Sequence, residues 1–233
     1  MKVVLATGNK NKLREIREIA GGKMEIIPSS ELGITEEPEE NGGSFRENAL
    51  IKARFVKSKT DLPVMADDSG LIVDAMGGLP GVESARFLGE DTPYSVKNAE
   101  VIKRLSDVNG IYRSARFVCC AVFIGQDGSV LSRTGVINGC IGYGVAGENG
   151  FGYDPAFFID PFDAMTACRA AGMPDSEAVE MVSALGRENM ASGVINEDLK
   201  GYISTAQLPP DVKDAVSHRG RAFRFLFEDI RSI

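Results

Sequence analysis

The 233-residue sequence predicts an α/β protein built on a mixed sheet. Short apolar runs such as KVVLA and RFVCCAVFI alternate with longer segments whose apolar residues recur at helical spacing. Residues 115–124 and 130–138 read as strands flanking QDGS, a hairpin signal that argues against a wholly parallel sheet. The composition, 43% hydrophobic and 25% charged, is that of an ordinary globular protein, long enough for one large domain or a two-lobed single domain.

In chain order, residues 2–6 form a buried strand, and TGNKNK is the turn after it. Residues 10–20 are helical, with Leu13, Ile16, Ile19 and Ala20 on one face. A short strand at 24–28 leads into the acidic loop ITEEPEENGG. Ser44 and Glu47 then fit an S-x-x-E capping box, and Phe45, Ala49, Ala53 and Val56 supply the buried stripe of the next helix. The run VMADDSG is a strand ending in two adjacent carboxylates, followed by LIVDAMGGLPG, a strand or hairpin and a loop. Thr92 and Pro93 open a helix at N-cap and first position, running to about Leu105. After the hairpin, 142–152 is glycine-rich. Met173 and Pro174 break the Ala- and Met-rich stretch between Phe158 and Lys200 into two helical segments, the second near 175–186. A short helix at 209–216 precedes a last helix from Ser217, with Phe223, Leu226, Phe227 and Ile230 inward.

The bulk properties restrict the partners. A net charge of −7 argues against a nucleic-acid polymer, which needs a broad basic surface, but leaves a single nucleotide open. No apolar run approaches the roughly 18–20 residues of a membrane span, and the apolar start is too short for a signal peptide. Cys119, Cys120, Cys140 and Cys168 make no C-x-x-C pair and read as reduced thiols in a cytoplasmic protein without a zinc site. His218 is the single histidine, so a His-cluster metal centre is excluded.

Four stretches carry chemistry. In TGNKNK, Asn9 is a good N-cap, and Lys10 and Lys12 place cations at the helix end already carrying partial positive charge. An anion held by the lysines and by open backbone N–H groups resolves that conflict; solvated lysines on an exposed helix are the competing reading. SHRGR repeats the pattern, with Ser217 as cap and His218 and Arg219 in the first turn, and Lys213 one short helix earlier. Two such starts in one chain suggest a shared polyanion. Strand alternation sends Asp67 and Asp68 to opposite faces, so only one need face a site. Glu40 with Asp68 suits a hard cation such as Mg²⁺, which takes one or two carboxylates, waters and substrate phosphates. Glu36 and Glu37 read as ordinary loop acids. In GENGFGYDP, Phe151 and Tyr153 offer faces for a base and Asp154 a base-edge partner; an aromatic core beneath a glycine turn is the alternative.

TGNKNK, ENGGSFRENALIKA, ADDSGLIVDAMGGLPGVESAR, GFGYDPAFF and SHRGRA, in that order, resemble the inosine triphosphate pyrophosphatase family over nearly the whole chain. The resemblance implies a single domain over 1–233, two-lobed, with a long twisted mixed sheet flanked by helices and a nucleotide cleft between the lobes. It implies a homodimer and Mg²⁺-dependent hydrolysis of ITP, dITP and XTP to monophosphate and pyrophosphate. By position, Thr7, Gly8, Asn9, Lys10, Asn11 and Lys12 take the triphosphate, and Glu40 and Asp68 hold the metal. Asp68 is the proton acceptor, Lys12 its catalytic partner, and Asp67 its support. Ser69 contacts substrate, and Phe151, Gly152, Tyr153, Asp154, Lys213, His218 and Arg219 line the base pocket. A pyrophosphatase for other modified nucleotides, or a nucleotide-binding regulator without catalysis, is the alternative. The connection from GYDPAFF to SHRG is nearly twice as long as the family's, which marks a helical insertion at about 160–200. A lid, a dimer contact or a surface ornament would each fit it, and a segment that extends or covers the nucleotide cleft is the expectation.

Overall fold

The computed structural model describes residues 1–232. Its strands are β1 (Lys2–Leu5), β2 (Glu25–Pro28), β3 (Val64–Val73), β4 (Ser114–Ile124), β5 (Val130–Ile141), β6 (Phe157–Ile159) and β7 (Ile203–Ser204). Its helices are α1 (Lys10–Ala20), α2 (Phe45–Lys57), α3 (Tyr94–Arg104), α4 (Pro161–Ala170), α5 (Asp175–Ser192), α6 (Pro210–Val216) and α7 (His218–Arg231). The sheet order is β2-β1-β3-β4-β5-β6-β7. β1 pairs in parallel with β2 and β3, whereas β6 pairs antiparallel with β5 and β7, so the sheet is mixed as expected.

The chain divides into two compact units. Unit 1 takes Met1–Ser69, Val118–Val136 and the segment from Ser217; unit 2 takes Gly70–Phe117 and Ile137–Val216. In unit 1, alternation along the strands builds two separate apolar layers. Val3, Leu5, Met65 and Cys119 pack against Ile16 and Ala20 of α1 and Phe223 and Leu226 of α7. Their neighbours Val4, Val64, Ala66 and Cys120 face the other way, onto Ala49, Ala53 and Val56 of α2. In unit 2, α4, α5 and α6 share one core with Leu71, Phe117, Ile137, Tyr153 and Phe157. Ala164, Ala167 and Cys168 of α4 and Ala178 and Val182 of α5 belong to it. The stretch 160–200 is therefore part of the core of its unit rather than an ornament on it.

Three local expectations need correction. Ser44 Oγ caps α2 by accepting from Glu47 N–H at 3.2 Å, but the Glu47 carboxylate accepts from Gly43 N–H at 2.8 Å, one residue before the cap, so the box is not reciprocal. Pro93 occupies the N-cap position of α3, and Thr92 Oγ1 donates to the Leu88 carbonyl at 2.7 Å. α5 continues to Ser192, beyond the expected 186, and ends at Gly193 in the left-handed conformation, the usual helix stop.

Gly135 of β5 fixes how α7 seats. A Cβ there would lie 2.1 Å from the His218 carbonyl oxygen and 2.6 Å from Ala222 N, backbone atoms that cannot yield as a side chain would. Gly135→Ala should cost about 1–3 kcal/mol by overpacking. It should lower the unfolding midpoint by roughly 3–10 °C in a scanning calorimetry comparison.

Candidate active site

The unit 1 set centres on the end of the ADDSG strand. Asp67 shares the face of Met65, toward α1 and α7, and Asp68 shares the face of Ala66, toward α2. The expected separation of the two carboxylates is present.

Asp67 is 2% exposed and draws on three chain segments. Its Oδ2 lies 3.0 Å from Lys12 Nζ and 3.5 Å from Arg219 Nε, and accepts from Ser69 Oγ at 2.8 Å. The Arg219 guanidinium also donates to Glu15 Oε2 at 2.5 Å and to Ser69 Oγ at 3.4 Å. Burial opposes the charge on Asp67, but Lys12, Arg219 and Lys52 outweigh it and hold the carboxyl well below the usual carboxylate range. The neighbouring Cys119 thiol, buried and facing that charge, is pushed up to about 12 and stays neutral.

Asp68 has the opposite balance. Asn48 Nδ2 donates to its Oδ2 at 3.1 Å, and Lys52 Nζ lies 3.5 Å from its Oδ1 and 3.0 Å from Glu40 Oε2. Burial dominates and, with the Glu40 charge, raises the Asp68 carboxyl despite Lys52, Lys12 and Asn48. Two adjacent carboxylates are thus driven apart, one locked as an anion and one poised to take a proton, the division that acid–base sites use.

The loop TGNKNK differs from expectation in one respect. Asn9 Oδ1 accepts from Asn11 and Lys12 N–H at 2.9 and 3.2 Å, and Thr7 Oγ1 accepts from Asn9 N–H at 3.2 Å. Those three backbone donors are engaged within the loop itself. Lys10 and Asn11 are exposed, and Gly8 lies beneath Glu37, whose Oε1 sits 2.5 Å from where a Cβ would be. His218, buried, opens α7 beside Arg219. Of the cations at the two helix starts, Lys12 and Arg219 both approach the internal carboxylate of Asp67.

Glu40 and Asp68 supply only oxygen donors and already converge on one ammonium, that of Lys52. That donor set fits a small hard dication that keeps water and substrate oxygens as ligands. Among the described residues no three His, Cys, Asp or Glu side chains converge, so the protein offers no closed cage.

The unit 2 set is organised by Asp154, 5% exposed. Its Oδ2 accepts from Phe151 N–H at 2.9 Å and pairs with Lys213 Nζ at 2.9 Å, and its Oδ1 accepts from Thr205 Oγ1 at 3.2 Å. Both carboxylate oxygens are therefore engaged by protein. Gly150, at φ +80, is required here, because a Cβ would lie 2.3 Å from Asp154 Oδ2. Tyr153 is a core residue: its hydroxyl donates to the Ser84 carbonyl at 2.9 Å, and the Tyr94 ring meets it edge-on at 5.2 Å. Asn98 Nδ2 donates to the Gly152 carbonyl at 3.1 Å. Phe151 is half-buried and has Lys213 Nζ 5.2 Å from its ring centre.

Sequence reasoning missed Asn48, Lys52 and Glu15. Asn48 and Lys52 stand four apart on α2, immediately before the buried Ala49 and Ala53, so a polar pair borders the apolar stripe. That pattern was the available signal. Glu15, three residues after Lys12, carries none.

The fold and both residue sets define a nucleotide-hydrolase class of α/β protein. Residues 3–181 match the Ham1 family model, and the chain belongs to the Ham1 family. It is 44% identical over 160 residues to the dITP/XTP pyrophosphatase of Haemophilus influenzae, covering 67% of this chain and 82% of that one. It is 35% identical over 234 residues to the Escherichia coli K12 dITP/XTP pyrophosphatase, covering 99% and 98%. The solved structure of a HAM1 protein from Coxiella burnetii superposes with a TM-score of 0.74 at 30% identity, covering 100% of both chains.

Asp67→Asn leaves Lys12 and Arg219 facing a neutral partner and should destabilise the protein by about 3 kcal/mol, as breaking buried pairs does. Asp68→Asn, which removes a carboxyl already disfavoured as an anion, should cost less. Because the folded-state pKa of Asp67 is depressed, its contribution is present above its unfolded value of about 3.9 and is lost as pH falls. Wild type should therefore lose stability more steeply than Asp67→Asn below about pH 4, read as unfolding midpoints across a pH series.

Proposed function

We propose that this protein hydrolyses non-canonical purine nucleoside triphosphates, ITP, dITP and XTP, to the monophosphate and pyrophosphate. The observation that carries the reading is the split carboxylate pair: Asp67 fixed as an anion by Lys12 and Arg219, and Asp68 raised toward protonation beside Glu40 and Lys52. Membership of a family whose curated relatives are dITP/XTP pyrophosphatases supports the substrate class.

Asp68 takes the proton from the attacking water, which its raised basicity suits, with Asn48 fixing the orientation of the carboxyl. Lys12 and Lys52 meet the charge developing on the phosphate oxygens, with Thr7, Lys10 and Asn11 at the mouth of the same loop. Glu40 and Asp68 would hold Mg²⁺, which when bound would neutralise phosphate charge. Base recognition is assigned to the unit 2 set around Asp154, with Phe151 and Lys213. Phe151 offers the stacking face. A donor there, such as Lys213 Nζ or a backbone N–H, pairs with the purine 6-carbonyl of inosine and xanthine. Adenine, with an amino group at that position, would leave the donor unpaired at a cost of about 1–3 kcal/mol. The reading includes a homodimer in the cytoplasm. Four buried, unpaired cysteines support the reducing compartment, and among the described residues no helix is long and apolar enough to cross a membrane.

The test is steady-state pyrophosphate release from ITP, dITP, XTP, dGTP, dATP and dTTP with Mg²⁺ and with excess chelator. Hydrolysis should favour the first three and vanish with chelator. Asp68→Asn should reduce kcat by about 10²–10⁴-fold, the usual worth of a positioned base. Turnover spread over pyrimidines would overturn the substrate class, and full activity in Asp68→Asn would overturn the assignment of the base.

A further inference from the structure

Helix α5 carries a buried amide that the proposed reaction does not use. Asn189 is 1% exposed and lies on the buried stripe Ala178, Val182, Gly186, Asn189. The helix backbone comes close to the chain it covers: a Cβ on Gly186 would lie 2.9 Å from Gly201 Cα. One turn on, Asn189 Nδ2 donates to the Tyr202 carbonyl at 3.0 Å and to Gln207 Oε1 at 2.9 Å, and Gln207 Nε2 donates back to Asn189 Oδ1 at 2.9 Å. Gln207 Oε1 also accepts from Ser204 N–H at 3.1 Å.

The strap held in this way, residues 202–208, is bonded on its other side to the glycine-rich motif. Ser204 Oγ and Thr205 Oγ1 donate to the Asp154 carbonyl at 3.0 and 3.2 Å, and Thr205 Oγ1 also reaches Asp154 Oδ1. Asn149 N–H donates to the Ala206 carbonyl at 2.9 Å, and Asn149 Nδ2 to the Leu208 carbonyl at 3.1 Å. Asp154 in turn sets Phe151 N–H and Lys213. Every link from Asn189 to Phe151 is a hydrogen bond between groups of one unit, and a buried amide with its partners satisfied has one low-energy arrangement.

We infer that Asn189 is a positioning residue for base recognition: α5 fixes the 202–208 strap, and the strap fixes Asp154, Phe151 and Lys213. Helix α5 thus acts on specificity from beneath the base-binding motif rather than by covering the nucleotide. This rests on the reading that the unit 2 set receives the base.

The experiment compares Asn189→Ala with Val182→Ala, which removes core volume from the same helix stripe and keeps the Asn189–Gln207 bridge. Amide hydrogen exchange is measured over 147–156, with ITP kinetics alongside. In Asn189→Ala the Asn149 and Phe151 amides should lose protection, and KM for ITP should rise about tenfold with kcat within twofold, the signature of lost ground-state binding. Val182→Ala should lower the unfolding midpoint yet keep wild-type exchange at those amides and wild-type KM. Equal exchange in the two variants, or wild-type exchange in Asn189→Ala, overturns the inference. Should Asn189→Ala fail to fold, Gln207→Ala, at a half-buried position, breaks the same bridge and carries the comparison. A wild type that hydrolyses no purine triphosphate would refute the substrate reading, while the exchange result would still decide the positioning role.

Discussion

Unit 1 depends on one buried anion. Asp67 gathers Lys12 from the first helix, Arg219 from the last and Ser69 from its own strand, so a single carboxylate ties three distant stretches of sequence together. Removing so many charges from water is costly, and the cluster stands only because each charge meets an opposite one at short range. Its geometry leaves little freedom: α1 and α7 must lie where Lys12 and Arg219 reach the same oxygen, and Gly135 gives α7 the room to do so.

That constraint also sets the chemistry next door. Strand alternation turns Asp68 to the α2 face, where Asn48 and Lys52 hold it and Glu40 competes for the same ammonium. Asp68 is thus buried with less compensation than Asp67 has. A residue step of one separates a carboxyl held well below the usual range from one that burial raises. Lys52, paired with both Glu40 and Asp68, stands where a hard cation would also be attracted.

Unit 2 solves a different problem by different means. In unit 2 Asp154 pairs with the buried Lys213, and the rest of its motif is set by neutral hydrogen bonds from Thr205, Ser204, Asn98 and Asn149. Such bonds are directional and fix position without adding charge. Helices α4 and α5 extend the core under this motif and are joined to it through Gln207.

The sequence by itself determined the α/β class, most helix and strand positions, the opposite facing of Asp67 and Asp68, and the motifs that mark the family. These are local or periodic properties, written in residues a few positions apart. It also signalled that two helices begin with cations in need of an anion. Only the tertiary structure decided that Lys12 and Arg219 meet at Asp67, because the three are brought together by strand order and helix packing, not by spacing along the chain. For the same reason the partners of Asp154, the core position of Tyr153 and the link from Asn189 to the strap could not be read in advance. Hydrogen bonds among side chains separated by many residues leave no period in the sequence, and their pattern exists only once the backbone has placed them.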